Sequence, residues 1–264
     1  MHSIYKYLHV FAVQFKNNFV REVVYRNNFL VMTISDLIWI AVEFFLFSVI
    51  YANTPTLAGW TQEQSFFFLG IFFASDALFT VFFQRNFWTF SDLVNKGELD
   101  IILTKPIHPL FLALTRFIQT GAFLNVFFGI AIVIHYSGPA GFEGGWRWAL
   151  LPLWLLAGLT INALVRFLFS VVTFWTDRGW AVARLYFQMY QFATKPDTIY
   201  PKFIRYSILT FIPFAFIGSV PARALIHGLP WREAVALATA LTGFFLLDQF
   251  LWRRGLKRYQ SASS

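Results

Sequence analysis

Between Arg116 and Glu143 the chain reads FIQTGAFLNVFFGIAIVIHYSGPAGF, residues 117–142, without one Asp, Glu, Lys or Arg. A helix needs about 20 mostly apolar residues to cross the hydrocarbon of a bilayer. This stretch, extended back to Pro109, supplies them. Working outward, the same reading predicts six spans, at 29–51, 65–84, 109–135, 148–175, 203–220 and 233–252. The fifth contains Pro213 and is followed by Pro221, so a broken or re-entrant region is expected between spans five and six. Such backbone is tolerated at membrane depth where protein satisfies the freed groups. The fold class is therefore all-α: a polytopic membrane protein of six transmembrane helices.

Composition agrees. Of 264 residues 58% are hydrophobic and 13% charged, with 21% aromatic, 35 of them Phe, and a mean hydropathy of +0.58. Ordinary soluble domains carry about a quarter charged residues and cannot hide so much apolar surface. A soluble enzyme, a disordered tail and a disulfide scaffold are excluded. With no Cys, no disulfide framework or thiolate metal site is available.

The net charge of +8 has a topological reading. Nucleic-acid binders carry their bases on a soluble face, whereas here Lys and Arg stand in short clusters between apolar runs, so no nucleic-acid partner is expected. Sixteen of the 21 bases fall in one set of loops: Lys6, Lys16, Arg21 and Arg26; Arg85, Lys96 and Lys105; Arg178, Arg184, Lys195, Lys202 and Arg205; Arg253, Arg254, Lys257 and Arg258. The opposite loops hold Arg147, Arg223 and Arg232. By the positive-inside rule both termini and the loops at 85–108 and 176–202 are expected in the cytoplasm, with Thr61 and Gly141 outside. The first apolar run starts near Phe29, so a cleavable signal is not expected.

Before that run, Ile4, Leu8, Phe11, Phe15 and Phe19 recur at steps of three or four, with Lys6, Lys16, Asn17 and Arg21 off the stripe. This predicts an amphipathic helix in the cytoplasmic interface. The chain divides into an interfacial segment at 1–28, a six-span domain at 29–252 and a basic cytoplasmic tail at 253–264. Trp39, Trp60, Trp146, Trp148, Trp175, Trp180 and Trp252 fall mostly near predicted span ends, as an aromatic belt would.

Catalytic signatures are lacking. The sequence has no G-x-x-x-x-G-K-[ST] phosphate loop, no H-E-x-x-H and no G-x-S-x-G, and its five His are scattered. No enzymatic activity, bound metal or cofactor is expected of this chain.

The loop between spans two and three is different in kind. From Trp88 to Pro106 it reads WTFSDLVNKGELDIILTKP. It turns at Gly97, offers Leu99, Ile101, Ile102 and Leu103 as an apolar ridge, and stops at Pro106. A ridge of this sort suits a short helix docking into a groove on another protein. At this stretch, W-x-F-x-D-L-V-x-x-G-E-L-D-x-x-L-x-K-P, the sequence resembles the permease subunits of ABC-2 type transporters, as do Ile212-Pro213 and Val220-Pro221-Ala222. The resemblance covers essentially the whole chain. It implies a bacterial inner-membrane exporter subunit that pairs with a second permease, in a homodimer or a heterodimer with a sister permease, and with separate ABC ATPase subunits that carry ATP and Mg. It also implies that a cytoplasmic coupling helix lies in this loop. The expected coupling residues are Asp92, Gly97, Glu98, Leu99, Asp100, Ile101, Ile102, Lys105 and Pro106, with Leu99, Ile101 and Ile102 as anchor and Glu98, Asp100 and Lys105 as polar orienters.

Five charges inside predicted spans are candidates for a functional or structural role within the membrane: Asp36, Glu43, Asp76, Arg116 and Arg166. Counted from span ends at about 1.5 Å per residue, all but Glu43 lie within one or two turns of one depth. They predict an inner-leaflet charge layer joining spans one to four, with an Asp36–Arg166 pair. Glu43, two turns deeper on the Asp36 face, is a candidate to line the path. Both a helix-orienting role and a role in admitting substrate stay open. Gly121, Asn125 and Gly129 are candidates for close approach to a second permease chain or for packing within one chain. A secondary transporter is the alternative function, with Asp36, Glu43 and Asp76 as ion-coupling acids; a structural membrane subunit is a third.

Overall fold

Thr61 starts the helix around which the others are arranged. Its hydroxyl accepts from the Gln64 N–H at 3.3 Å, and the Gln64 side chain accepts from the Thr61 N–H at 3.2 Å. This reciprocal cap satisfies donors that a bare helix start would leave open. The structure is a computed structural model describing residues 2–24, 26–176 and 179–259; Arg178 and the Ser-Ala-Ser-Ser tail lie outside the described residues.

The chain begins with α1 (His2–Val24) and α2 (Arg26–Asn53). The capped helix α3 (Gln62–Phe79) runs on through a π turn at Thr80–Gln84 into α4 (Arg85–Trp88) and α5 (Phe90–Asn95). Next come α6 (Leu99–Leu103), α7 (Pro109–Thr115), α8 (Phe123–Ser137) and α9 (Leu150–Val171). The last are α10 (Gly179–Tyr190), α11 (Lys202–Thr210), α12 (Ser219–His227) and α13 (Trp231–Arg258). Among the described residues there is no strand, and one isolated bridge joins Leu57 to Trp60. Among the described residues, five helical stretches are long and apolar enough to cross a membrane: Leu30–Asn53, Gln62–Asn95, Thr120–Ser137, Gly145–Phe174 and Trp231–Arg258.

α3 is buried almost throughout, from Ser65 to Ala77. It packs on α8 so tightly that a Cβ added at Gly129 would lie 2.6 Å from the Ala74 backbone nitrogen, and one at Gly70 would lie 2.9 Å from Val133. Small residues permit such approach. Gly129 is thus occupied within the chain, as are Gly121, whose N–H donates to Glu22 at 2.8 Å, and Asn125, which donates to Asp36 at 2.6 Å. Of the belt candidates, Trp146 is exposed, whereas Trp60 and Trp252 are core residues.

Two expectations about the spans need correction. The predicted third span is not one helix: α7 ends at Thr115, and the chain is non-helical before a 3₁₀ turn at Thr120–Ala122. The buried Asn86 fills the break. Its amide donates to the Phe117 carbonyl at 2.8 Å and accepts from the Phe117 N–H at 2.9 Å, while the Val81 carbonyl takes the Gln119 N–H at 2.9 Å. The backbone groups are satisfied without a helix, so hydropathy alone could not reveal the interruption.

The second correction concerns residues 176–220. α10 runs antiparallel to α9: Arg166 donates to the Ala183 carbonyl at 3.5 Å, and Asn162 to the Tyr190 hydroxyl at 3.3 Å. Further on, Thr198 accepts from the Trp60 indole at 2.8 Å. The chain has passed from the Ser91 end of the bundle to the Trp60 end, by α10 and the 3₁₀ turn Gln191–Thr194. The region predicted as span five instead makes a hairpin. α11 descends, Phe214 meets the Tyr186 and Tyr190 rings with centroids 5.9 and 5.4 Å apart, and α12 climbs back. At the top, Arg147 donates to the Leu225 and Ile226 carbonyls at 3.4 and 3.2 Å. Lys195 and Arg205 therefore lie with Trp60, not with Ser91. Glu43 pairs with Lys195, and Asp197 with Arg205 at 2.8 Å. A count of bases takes no account of acids that hold them.

Candidate functional site

At the Ser91 end, Gly97 adopts φ +74°, a conformation open to glycine at little steric cost, and so turns α5 into α6. Helical spacing then splits the predicted ridge. Leu99 is 0% exposed and Ile102 8%, both packed in the chain's own core with Phe90, Leu93 and Trp252. Ile101 is 63% exposed and Leu103 38%. The expectation that Leu99 and Ile102 anchor a partner is corrected: they anchor the segment to its own bundle. Asp92, Glu98, Lys105 and Pro106 are exposed and Asp100 half-buried. Asp92 pairs with Lys96 at 3.1 Å and Glu98 with Arg116 at 3.7 Å.

α1 straps this region. Lys6 donates to the Pro106 carbonyl, the Tyr7 hydroxyl accepts from the His108 N–H at 3.1 Å, and Asn18 donates to the Arg116 carbonyl at 3.0 Å. Phe11 and Phe15 pack on Phe82 and Phe123, whereas Ile4, Leu8 and Phe19 are exposed. The predicted apolar stripe is therefore shared between protein and surroundings.

The charges inside the bundle form no single layer. Asp36 accepts from Asn125, and its predicted partner Arg166 lies 4.3 Å from the Tyr186 ring centroid and 4.8 Å from that of Phe187. Among the described residues Asp36 and Arg166 form no ion pair. Arg166 and Asp76 are instead joined through a relay: Tyr186 beneath the guanidinium donates to Asn162, Asn162 donates to Tyr190, and Tyr190 donates to Asp76 at 2.6 Å. Arg116 stands at the break before α8, over the Phe117 ring at 4.6 Å. Glu43 is closed off by Lys195, whose ammonium also lies 5.3 Å from the Phe47 ring.

Two features escaped the sequence reading. Asp248 on α13 is 4% exposed, and neither carboxylate oxygen has a hydrogen-bond partner among the described residues. The signal was an acid within the apolar run GFFLLDQFLW. The other is a cavity of about 510 Å³ between α1, α2, the π turn and α8. Arg21 and Arg85 line it, with Asp36 and Asn125 among its other walls.

The comparisons bear on this arrangement. The family model described as "ABC-2 family transporter protein" matches residues 37–263. The chain belongs to the ABC-2 transporter family. Comparison with curated proteins gives no match. An ABC-2 permease is the membrane subunit of a transporter, works with ABC ATPase subunits and is not itself the catalyst. The multi-pass helices of this permease fit that role.

Proposed function

We propose that this ABC-2 permease forms the translocation path of an ATP-driven exporter in a bacterial inner membrane, with both termini and residues 85–108 in the cytoplasm. In this reading the chain crosses six times, residues 179–194 making the fifth crossing and 202–227 the re-entrant hairpin. A second permease chain completes the path, and ATP with Mg is bound by separate ATPase subunits. One observation carries the reading: the exposed surface of Ile101, Leu103 and Lys105, held rigidly because Leu99 and Ile102 are sunk in the core beneath it.

Anchor residues of small docking contacts contribute about 2 kcal/mol or more each, about thirtyfold in affinity. Ile101→Asp should therefore lower the amount of ATPase recovered with the purified permease by an order of magnitude, while its melting temperature in detergent stays at the parent value. Equal recovery of ATPase would remove the coupling surface from this segment.

A further inference from the structure

Three guanidinium groups gather around one ring. Those of Arg21, Arg85 and Arg116 lie 5.3, 5.1 and 4.6 Å from the Phe117 centroid. Arg116 has a carboxylate partner in Glu98. Among the described residues, Arg21 and Arg85 have none within 4 Å. The nearest acids on the cavity wall are engaged. One oxygen of Glu22 takes the Thr120 hydroxyl and the Gly121 N–H, which fixes it to the start of the α8 region, and Asp36 takes Asn125. Arg21 uses one nitrogen on Asn18. A guanidinium carries five donors in a planar fork suited to phosphate and carboxylate oxygens, and most of the donors on the half-buried Arg21 and the exposed Arg85 make no hydrogen bond to the described residues, so they are open to a ligand.

Like charges gathered this closely repel, and an anion between them removes the repulsion. Several hundred cubic ångströms is a small-molecule pocket, more than a bare oxyanion fills. The remaining wall is partly apolar, with Val31, Met32 and Ala122. Val31 and Met32 are 64% and 47% exposed on the outer face of α2, so the cavity borders the surface that faces lipid.

We propose that this cavity binds the phosphate headgroup of an amphiphile from the adjoining leaflet, with the phosphate between Arg21 and Arg85 and the acyl chains along Val31 and Met32. The proposal rests on the membrane orientation given above only in assigning that leaflet to the cytoplasmic side.

The test uses the purified full-length chain in dodecyl maltoside and native mass spectrometry. It is titrated with dioleoyl phosphatidylglycerol, with dioleoylglycerol, which lacks the phosphate, and with inorganic phosphate as competitor. The parent should bind the phospholipid at least tenfold more tightly than dioleoylglycerol. Arg21→Gln with Arg85→Gln should abolish that preference, and Arg254→Gln at the end of α13 should leave it intact. Should the double variant fold poorly, Arg85→Lys keeps the charge but loses the fork, and should weaken phospholipid binding severalfold with an unchanged melting temperature. Displacement of the lipid by millimolar phosphate would support the phosphate site with a soluble phosphate as sufficient occupant; resistance to it would support the lipid. Undiminished phospholipid binding by both variants, or equal binding of dioleoylglycerol by the parent, would overturn the proposal. Recovery of the ATPase is scored on the same preparations, so loss of lipid binding with the ATPase retained counts against this site alone.

Discussion

Leu99 and Ile101 stand two positions apart and have opposite surroundings. Removing the Leu99 side chain beyond Cβ leaves a cavity among Phe90, Leu93 and Trp252, and Leu→Ala in such cores costs about 2–5 kcal/mol. Leu99→Ala should lower the melting temperature in detergent clearly, whereas Ile101→Ala should leave it within a degree or two. The distinction was available in the sequence, because residues three apart share a helix face and residues two apart do not; reading 99–103 as one ridge merged two faces. Asp248 invites the reverse experiment. A buried carboxyl without partners carries an unrecovered desolvation cost of about 1–3 kcal/mol, so Asp248→Leu should raise the melting temperature. A fall would mean that the carboxyl has a partner.

The hairpin of α11 and α12 is held at its open end by charge. Burial by itself would raise the Asp197 carboxyl above its ordinary value of 3.8, but Arg223, the Ser219 hydroxyl and Arg205 outweigh it and hold the group lower. A carboxylate depressed in the folded state stabilises fully above its ordinary value, and that contribution fades as pH falls through the lower folded value. Protection factors in 202–227, each taken against the intrinsic exchange rate at the same pH, should therefore be constant from about pH 5 to 8 and fall below about pH 4. Asp197→Asn should show the lower protection across the range; protection in the parent that stays flat below pH 4 would exclude this clamp. The prolines made the hairpin legible as broken backbone. Its sidedness was not legible, since Asp197 and Glu43 neutralise Arg205 and Lys195, bases that a positive-inside count assigns to the cytoplasm. The break at 116–119 left no hydropathy signal either, because its bonds come from Asn86, some 30 residues earlier.

For the molecule as a whole, the all-helical class and the membrane setting were legible from the scarcity of charge, and the family from residues 88–106. The route of the chain was less so: hydropathy passed over α10 because Gln188, Arg184 and the tyrosines dilute it, although the Tyr186 and Tyr190 hydroxyls are turned to Asn162 and Asp76 within the bundle. The route is testable because the parent has no Cys. Single cysteines at the exposed Thr56 and Lys202 should label from one side of the membrane, and one at Asn95 from the other. Labelling of Lys202→Cys together with Asn95→Cys would restore the topology expected from the count of bases.

The π turn at Thr80–Gln84 has a genetic consequence. A π turn holds one residue more than the helix around it, and each residue of an α-helix turns the chain by about 100°. Deleting a single codon from 80 to 84 would let the helix close as ordinary α with everything beyond it kept in frame, whereas a deletion at 66–77 would rotate the buried stretch between it and the turn by that angle. After loss of a residue from the turn, Arg85 would still reach Phe117, Asn86 the break it fills, and Phe87 the interior. A one-codon deletion in this turn should therefore still yield folded permease in detergent, where a one-codon deletion at 66–77 should not.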